Sequence, residues 1–403
     1  MIPPDPGRGI RALTARGAPR YRVRSGHDEL LVIPPRSGGA ARCDAVAVVN
    51  HDRPERLAFA VALAVALDCT LLVLGTMGRE PGVRLTLAEL PSGPPQVLIA
   101  LPHGGPPPDV GPRRMPALLT VALPGARPTK YRDLSLKRNT GLAVARMAGW
   151  RNVLFVDDDI ESLTADGVAA ALSRLESGSG SRVASWKSTD FPDNSAVCHA
   201  GRAAGREQRV FIGSGAMAVR LDETVPLFPP VYNEDWCFLF EPLARRAVLL
   251  AGEVRQLPYN PFDRGPNRGG NEEFGDVLGE GLFHLLHAGH DHVVATDERY
   301  WADVVVDRQA FIRSIRHELQ SERRAGAVTT RDGSHRLDDV LFCLDEALRQ
   351  HRRNLPAQLA AFVRAWREDL ARWQPWFDAL PVPGDLADAV RILGWPPEHL
   401  HQL

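Results

Sequence analysis

The sequence VLFVDDDI, residues 153–160, indicates an α/β fold and places a candidate site. Its four apolar residues are typical of a buried parallel strand, and Asp157, Asp158 and Asp159 follow at once. Ligands of open α/β sheets bind beyond the carboxyl ends of strands. Because adjacent carboxylates repel one another, a bound cation is a good reason to collect them. An acidic turn, or the cap of a helix beginning near Ile160, is the alternative interpretation.

Alternate residues of an extended segment point the same way, so Asp157 and Asp159 are expected on one side of the chain. Carboxylate oxygens are the ligands that Mg²⁺ prefers, usually with substrate phosphates and water completing the shell. The motif therefore predicts Mg²⁺ or Mn²⁺ at these two aspartates.

Strand and helix patterns alternate on both sides of this motif. We expect strands at 45–50, from residue 69, at 96–102, 117–124, 182–187, 209–213 and 215–220, and helices at 55–67 and 135–149. Such alternation predicts an α/β sheet covered by helices on both faces. From about residue 303 the chain is helical in pattern, and Trp366, Trp373 and Trp376 are predicted to be packing residues there.

Composition excludes several classes of protein. The net charge of −1 gives no global attraction to nucleic acid or acidic membranes. Residues 57–74 are apolar, but Asp68 interrupts them and the first half is too short to span a bilayer, so no membrane span is expected. The five cysteines form no C-x-x-C pair, which favours a reducing cytoplasm. We expect an irregular extension at 1–42, a catalytic domain at 43–300 and a helical region at 301–403.

Lysine is rare in this chain. It occurs only at Lys130, Lys137 and Lys187 among 48 basic residues. Coding bias toward arginine is one explanation. The other is that an ammonium group, rather than a guanidinium, is wanted at these positions.

The segment SLKRNTGLAVARMAGWRNVLFVDDDIESL, residues 135–163, resembles the donor-binding core of the GT-A glycosyltransferases, especially family-2-like members. The matching residues are Arg138, Asn139, Gly141, Ala145, Asp157 and Asp159. The resemblance implies a Rossmann-type mixed sheet of the GT-A kind with a C-terminal helical extension. It also implies a UDP- or GDP-sugar donor, held by Asn50, Asp52, Arg53, Lys137, Arg138, Asn139, Asp157, Asp158, Gly213, Gly215 and Arg264.

In inverting members of that family, an Asp in a motif like VYNEDWCFLF (residues 231–240) takes the proton from the acceptor hydroxyl. Here Asp235 is the first candidate for this general base and Glu234 the second. Capping of the following helix by one of these carboxylates is the alternative.

The third metal ligand of the family is often a His, and none occupies the expected segment near residues 254–270. We expect Asp263 or Asn260 to supply an oxygen as the third metal ligand in place of the His. His284 and His287 follow later on a predicted helix face. Arg264 and Arg268 are placed to close over a diphosphate.

The resemblance therefore implies metal-assisted, inverting transfer of a sugar to an unidentified acceptor hydroxyl. Retaining relatives exist on this fold, which leaves the stereochemistry open. Two alternatives stand beside it: a sugar-phosphate nucleotidyltransferase, which normally carries a Gly-rich signature after the first strand, and a catalytically degenerate binding or scaffold module.

Overall fold

The strands of the protein form one mixed sheet. A computed structural model describes residues 26–32, 41–50, 53–89, 95–109, 113–177, 180–189, 195–207, 211–223, 225–352, 354–383 and 385–402. The strands are β1 (Ala45–Val49), β2 (Thr70–Thr76), β3 (Gln96–Leu101), β4 (Asn152–Asp157), β5 (Ile160–Glu161), β6 (Val183–Thr189), β7 (Ala216–Arg220), β8 (Val248–Gln256) and β9 (Leu400–Gln402). Their order across the sheet is β5-β8-β6-β7-β4-β1-β2-β3-β9.

The central strand β4 carries the acidic motif. It runs parallel to β1, with Asp157 opposite Val49, and antiparallel to β7. Strands β2 and β3 continue the parallel part. Because parallel strands end at the same edge, the residues that follow β1, β2 and β4 are brought together there.

Eleven helices of 7 to 27 residues accompany the sheet within the described part of the chain. They are α1 (Leu57–Ala66), α2 (Glu80–Glu89), α3 (Thr129–Met147), α4 (Ala165–Glu176), α5 (Ala196–Ala203), α6 (Glu234–Ala244), α7 (Arg268–His287), α8 (Glu298–Arg324), α9 (Leu337–Gln350), α10 (Leu355–Asp378) and α11 (Leu386–Ile392).

The two faces of β4 belong to two hydrophobic cores. Phe155 packs in a core with Leu142 of α3, whereas Leu154 packs in a core with Leu63 of α1 and Leu172 of α4. Side chains alternate across a strand, so this division places helices on both faces. The predicted α/β class, with a mixed sheet covered on both sides, is confirmed.

The C-terminal helices are continuous with the core of the sheet. Trp366 and Trp373 of α10 are buried in the same core as Phe155, as predicted for packing residues. The last strand, β9, returns to the sheet and pairs antiparallel with β3. The expected domain boundary at residue 300 falls inside α8.

The prediction of a strand at 117–124 is wrong. Leu119–Ala122 and Pro124–Ala126 form short 3-10 helices instead. The backbone N–H groups of Leu119 and Thr120 donate to the carboxylate of Asp369 on α10, at 2.7 and 3.1 Å, rather than to a neighbouring strand. At 209–213, residues 209 and 210 lie outside the described part, and 211–213 are irregular.

Residues 57–74 divide into helix α1 and strand β2, as their interrupted apolar pattern predicted. Among the described residues, no helix has the length and apolar character needed to cross a membrane.

Candidate functional site

A cavity of about 690 Å³ opens at the edge of the sheet where β1 and β4 end. The first turns of α3, α6 and α7 contribute to its wall. It brings together many of the residues singled out in the sequence, namely Arg53, Arg138, Asp157, Asp158, Asp159, Gly213, Gly215, Glu234, Asp235 and Arg268.

Arg138 joins the acidic motif to the start of α6. It is 2% exposed, donates to Asp157 Oδ1 at 2.7 Å, and also donates to the carboxylate of Glu234. Burial lowers the pKa of Arg138, but the negative charges of Asp157, Glu234 and Asp235 raise it by more, so the net shift is upward. One fixed cation therefore faces three carboxylates.

Glu234 is the more buried of the two candidate bases, with 5% of its surface exposed. Burial raises the pKa of Glu234 to about 8, although the charge of Arg138 opposes this shift.

Asp158 is held by the loop that follows β1. Its Oδ2 accepts from Asn50 Nδ2 at 3.2 Å, and its Oδ1 accepts from Arg53 Nη2 at 2.5 Å. Burial raises the pKa of Asp158 to about 7, and Arg53 opposes that rise. Asn50 is 1% exposed and does not line the cavity, whereas Arg53 lines it and has a side chain that is 45% exposed. Asp52, also predicted to bind the donor, lies outside the described residues.

Asp157 and Asp159 fit a divalent cation. Both line the cavity, and the side chain of Asp157 is 30% exposed. Burial raises the pKa of Asp159, and the negative charge of Asp157 raises it further, which shows a repulsion that a cation relieves. Asp159 accepts one long hydrogen bond, from Gln256 Nε2 at 3.4 Å. Among the described residues neither aspartate belongs to a group of three potential ligands, so phosphate and water would have to complete the coordination of Mg²⁺ or Mn²⁺ there.

Asp235 is positioned by the segment that precedes β7. Its Oδ2 accepts from the backbone N–H of Ser214 at 2.8 Å, and its Oδ1 accepts from the N–H of Trp236 at 2.9 Å. A Cβ at Gly213 would stand 2.4 Å from Oδ2, so glycine is required for this approach. Burial raises the pKa of Asp235, and the charge of Arg138 and the two N–H groups limit the rise.

Lys137 and Asn139 lie beneath the cavity instead of lining it. Lys137 is fully buried and its Nζ donates to Asp133 Oδ2 at 2.7 Å, Thr76 Oγ1 at 2.7 Å and Asn50 O at 3.1 Å. It thereby ties the ends of β1 and β2 to α3.

Asn139 makes a two-way pair with the backbone of Phe228. Its Nδ2 donates to the carbonyl and its Oδ1 accepts the N–H, both at 2.9 Å. Lys137 and Asn139 therefore stabilise the backbone around the cavity, whereas Arg138 lines the cavity itself.

Asp263 and Arg264 are not brought to the cavity. Asp263 is exposed and accepts from the N–H of Gly265, while Arg264 pairs with Asp339 of α9 at 2.7 Å. The later candidate His287 bonds to the carbonyl of Gly26, at 2.8 Å from its Nε2.

Some wall residues had no distinguishing pattern in the sequence. Ser214, in the segment before β7, contacts Asp235, which lies 21 residues along the chain. Gln256 of β8 contacts Asp159, which lies 97 residues away. Two of the three lysines, Lys130 and Lys187, also line the cavity. The rarity of lysine was the one signal that pointed to them.

Comparison with known proteins identifies no family for this chain. No protein-family model matches it, and no curated protein matches its sequence. A solved structure described as a mycobacterial protein is similar at 17% identity, with 60% of this chain and 75% of that chain covered and a TM-score of 0.39.

Glucosyl-3-phosphoglycerate synthase from Mycobacterium tuberculosis, in complex with Mn²⁺, uridine diphosphate and glucosyl-3-phosphoglycerate, is similar at 15% identity. The match covers 62% of this chain and 82% of that chain, with a TM-score of 0.38. Another structure of the M. tuberculosis synthase is 14% identical, with coverage of 67% and 88% and a TM-score of 0.36. Likeness this distant assigns neither a family nor an activity to the chain.

Proposed function

We propose that this protein is a metal-dependent glycosyltransferase of the GT-A type that moves a sugar from a nucleoside-diphosphate sugar to an acceptor hydroxyl with inversion. One observation carries the proposal: Asp157 and Asp159 at the end of β4 line the same cavity as Asp235 at the start of α6. Displacement at an anomeric carbon needs both a cation site for the leaving diphosphate and a separate carboxylate for the acceptor proton.

The residues divide into two groups around the reacting centre. Asp157 and Asp159 are the proposed ligands of Mg²⁺ or Mn²⁺, which when bound neutralises charge growing on the departing nucleoside diphosphate. Arg53, held by Asp158, stands at the exposed lip where β1 ends and is proposed to contact the nucleotide. A UDP- or GDP-sugar is the donor that the resemblance to the GT-A glycosyltransferases implies.

Asp235 is the proposed general base. The acceptor oxygen forms a bond to the anomeric carbon while the bond from that carbon to the diphosphate oxygen breaks, and its electron pair leaves with the diphosphate. The acceptor proton passes to Asp235. A raised pKa brings this carboxylate closer to the operating pH, which improves a base that must still be ionised.

The cation site is tested with a matched pair of aspartate variants. We expect Mn²⁺-dependent binding of UDP or GDP by calorimetry, and Mn²⁺-dependent release of the diphosphate from a nucleotide sugar. Asp159→Ala is expected to lower that release at least about a hundredfold, because one of two charged ligands is lost. Asp166→Ala removes an exposed carboxylate from α4, outside the cavity, and is the control. Equal turnover in the two variants would refute the metal role.

A further inference from the structure

Arg138 is shared by two carboxylates that come from different parts of the fold. Asp157 ends strand β4 and Glu234 begins helix α6, and the guanidinium donates to both from α3. The planar guanidinium lies over Phe228, with its central carbon 5.6 Å from the ring centroid. Burial of Arg138, at 2% exposure, and its bonds to the two acids hold the guanidinium between them.

The two acids differ in what else they can do. Asp157 uses Oδ1 for Arg138, and its Oδ2 faces Gly215, at 3.8 Å from where a Cβ on that glycine would stand. Within the described residues Oδ2 accepts no protein hydrogen bond, so it is the atom available to a ligand. The side chain of Glu234 is 7% exposed and is turned to Arg138.

Charge sharing decides how strongly Asp157 attracts a cation. A guanidinium paired with Asp157 alone would neutralise it and weaken its hold on a divalent ion. With an ionised Glu234 on the same guanidinium, above the pKa of about 8 that burial gives this acid, the group of three carries a net charge of −1, and Asp157 keeps part of its negative charge.

We propose that Glu234 is a positioning residue: it shares Arg138 with Asp157 and so keeps Asp157 able to bind a divalent cation. This inference rests on the proposed function, in which Asp157 is a metal ligand. It assigns the two neighbouring acids of α6 to different tasks, with Asp235 taking the acceptor proton and Glu234 acting through Arg138 without touching substrate or metal.

Mn²⁺ binding to the full chain without donor tests the inference by calorimetry at about pH 8.5, where Glu234 is mostly ionised. An opposite charge beside a carboxylate shifts its proton affinity by about 1–3 pKa units, so Glu234→Gln, which leaves Arg138 to Asp157 alone, is expected to weaken Mn²⁺ binding at least about tenfold. Asp235→Asn removes the adjacent charge but no bond to Arg138, and is expected to bind Mn²⁺ within about threefold of the wild type while losing turnover.

The double variant Arg138→Gln/Glu234→Gln removes the cation together with its counter-ion. It leaves no lone buried charge, so it is expected to fold even if Glu234→Gln does not, and to bind Mn²⁺ within about threefold of the wild type. If Glu234→Gln binds Mn²⁺ as tightly as the wild type, the inference is overturned. A double variant whose Mn²⁺ binding is weakened about tenfold or more also overturns it.

The outcomes separate this inference from the proposed function. If the wild type binds Mn²⁺ and Glu234→Gln binds it equally well, the inference fails and the metal site stands. If the wild type binds no Mn²⁺ with or without a nucleoside diphosphate, the metal site fails and the inference fails with it.

Discussion

Gly213→Ala is expected to inactivate the proposed enzyme while leaving its fold intact. The new Cβ would stand 2.4 Å from Asp235 Oδ2 and 3.5 Å from its carboxyl carbon. An ordinary contact between such atoms is about 3.4 Å or more, so the carboxylate must move by roughly 1 Å. The displaced atom is the end of a side chain, which can rotate, so the cost in unfolding free energy is expected to be limited to about 1–3 kcal/mol, the cost of leaving a buried hydrogen-bonding group unpaired.

The same movement breaks the bond from the Ser214 N–H that aims the carboxylate. A misplacement of about 1 Å in a reacting group can cost on the order of a hundredfold in rate. We therefore expect kcat for Mn²⁺-dependent release of nucleoside diphosphate to fall by about that factor, while the protein still folds and melts only a few degrees lower.

Gly201→Ala on α5, outside the cavity, is the control. Its Cβ would meet Ile315 at 3.6 Å and Arg206 at 3.9 Å, which are ordinary contacts. Comparable activity in the two variants, or a collapse of folding in Gly213→Ala, would refute the reasoning that this glycine makes room for the base.

Three further predictions concern buried side chains that can carry a charge. Arg308 of α8 is fully buried between Glu273, Asp276 and Glu280, and Arg308→Met, which leaves these acids without their cation, is expected to lower the unfolding free energy by about 3–5 kcal/mol in urea titrations. A loss below about 1 kcal/mol would contradict the role of this arginine as their counter-ion. Lys137→Met is expected to cost about 3 kcal/mol, because the buried carboxylate of Asp133 loses the cation 2.7 Å away and keeps the longer contacts, at 3.3 Å, to the Gly104 N–H and the His103 ring. Lys187→Met at a partly exposed pair should cost about 1 kcal/mol or less in the same assay. Burial lowers the pKa of His27 from 6.5 to about 3, and its Nδ1 accepts the Ile212 N–H at 3.1 Å, so the folded ring stays neutral. Between pH 6.5 and about 3 the unfolded chain binds this proton and the folded chain does not, so stability should fall by up to about 1.4 kcal/mol per pH unit on acidification, with a shallower slope in His27→Phe.

The sequence by itself was enough to predict the strand β4 and the acidic cluster at its end. A run of apolar residues bounded by aspartates is a local pattern, and the rule that ligands bind beyond parallel strands then places the cavity. The same local reasoning predicted α3, the first strands and the C-terminal helices. It was wrong at 117–124, where Asp369, 250 residues away from Leu119, supplies the hydrogen bonds that a strand neighbour would have supplied.

Tertiary structure alone decided which charged groups meet. Arg138 and Lys137 are adjacent in the chain, yet one reaches the cavity and the other is enclosed under it, because successive residues of a helix point in different directions. The partner of Arg138 on α6 lies 96 residues away, and the amide that contacts Asp159 lies 97 residues away. Periodicity in sequence reports which face of an element is buried. The pairing of one element with another depends on the packing of the whole chain, and that packing sets the charges around each aspartate.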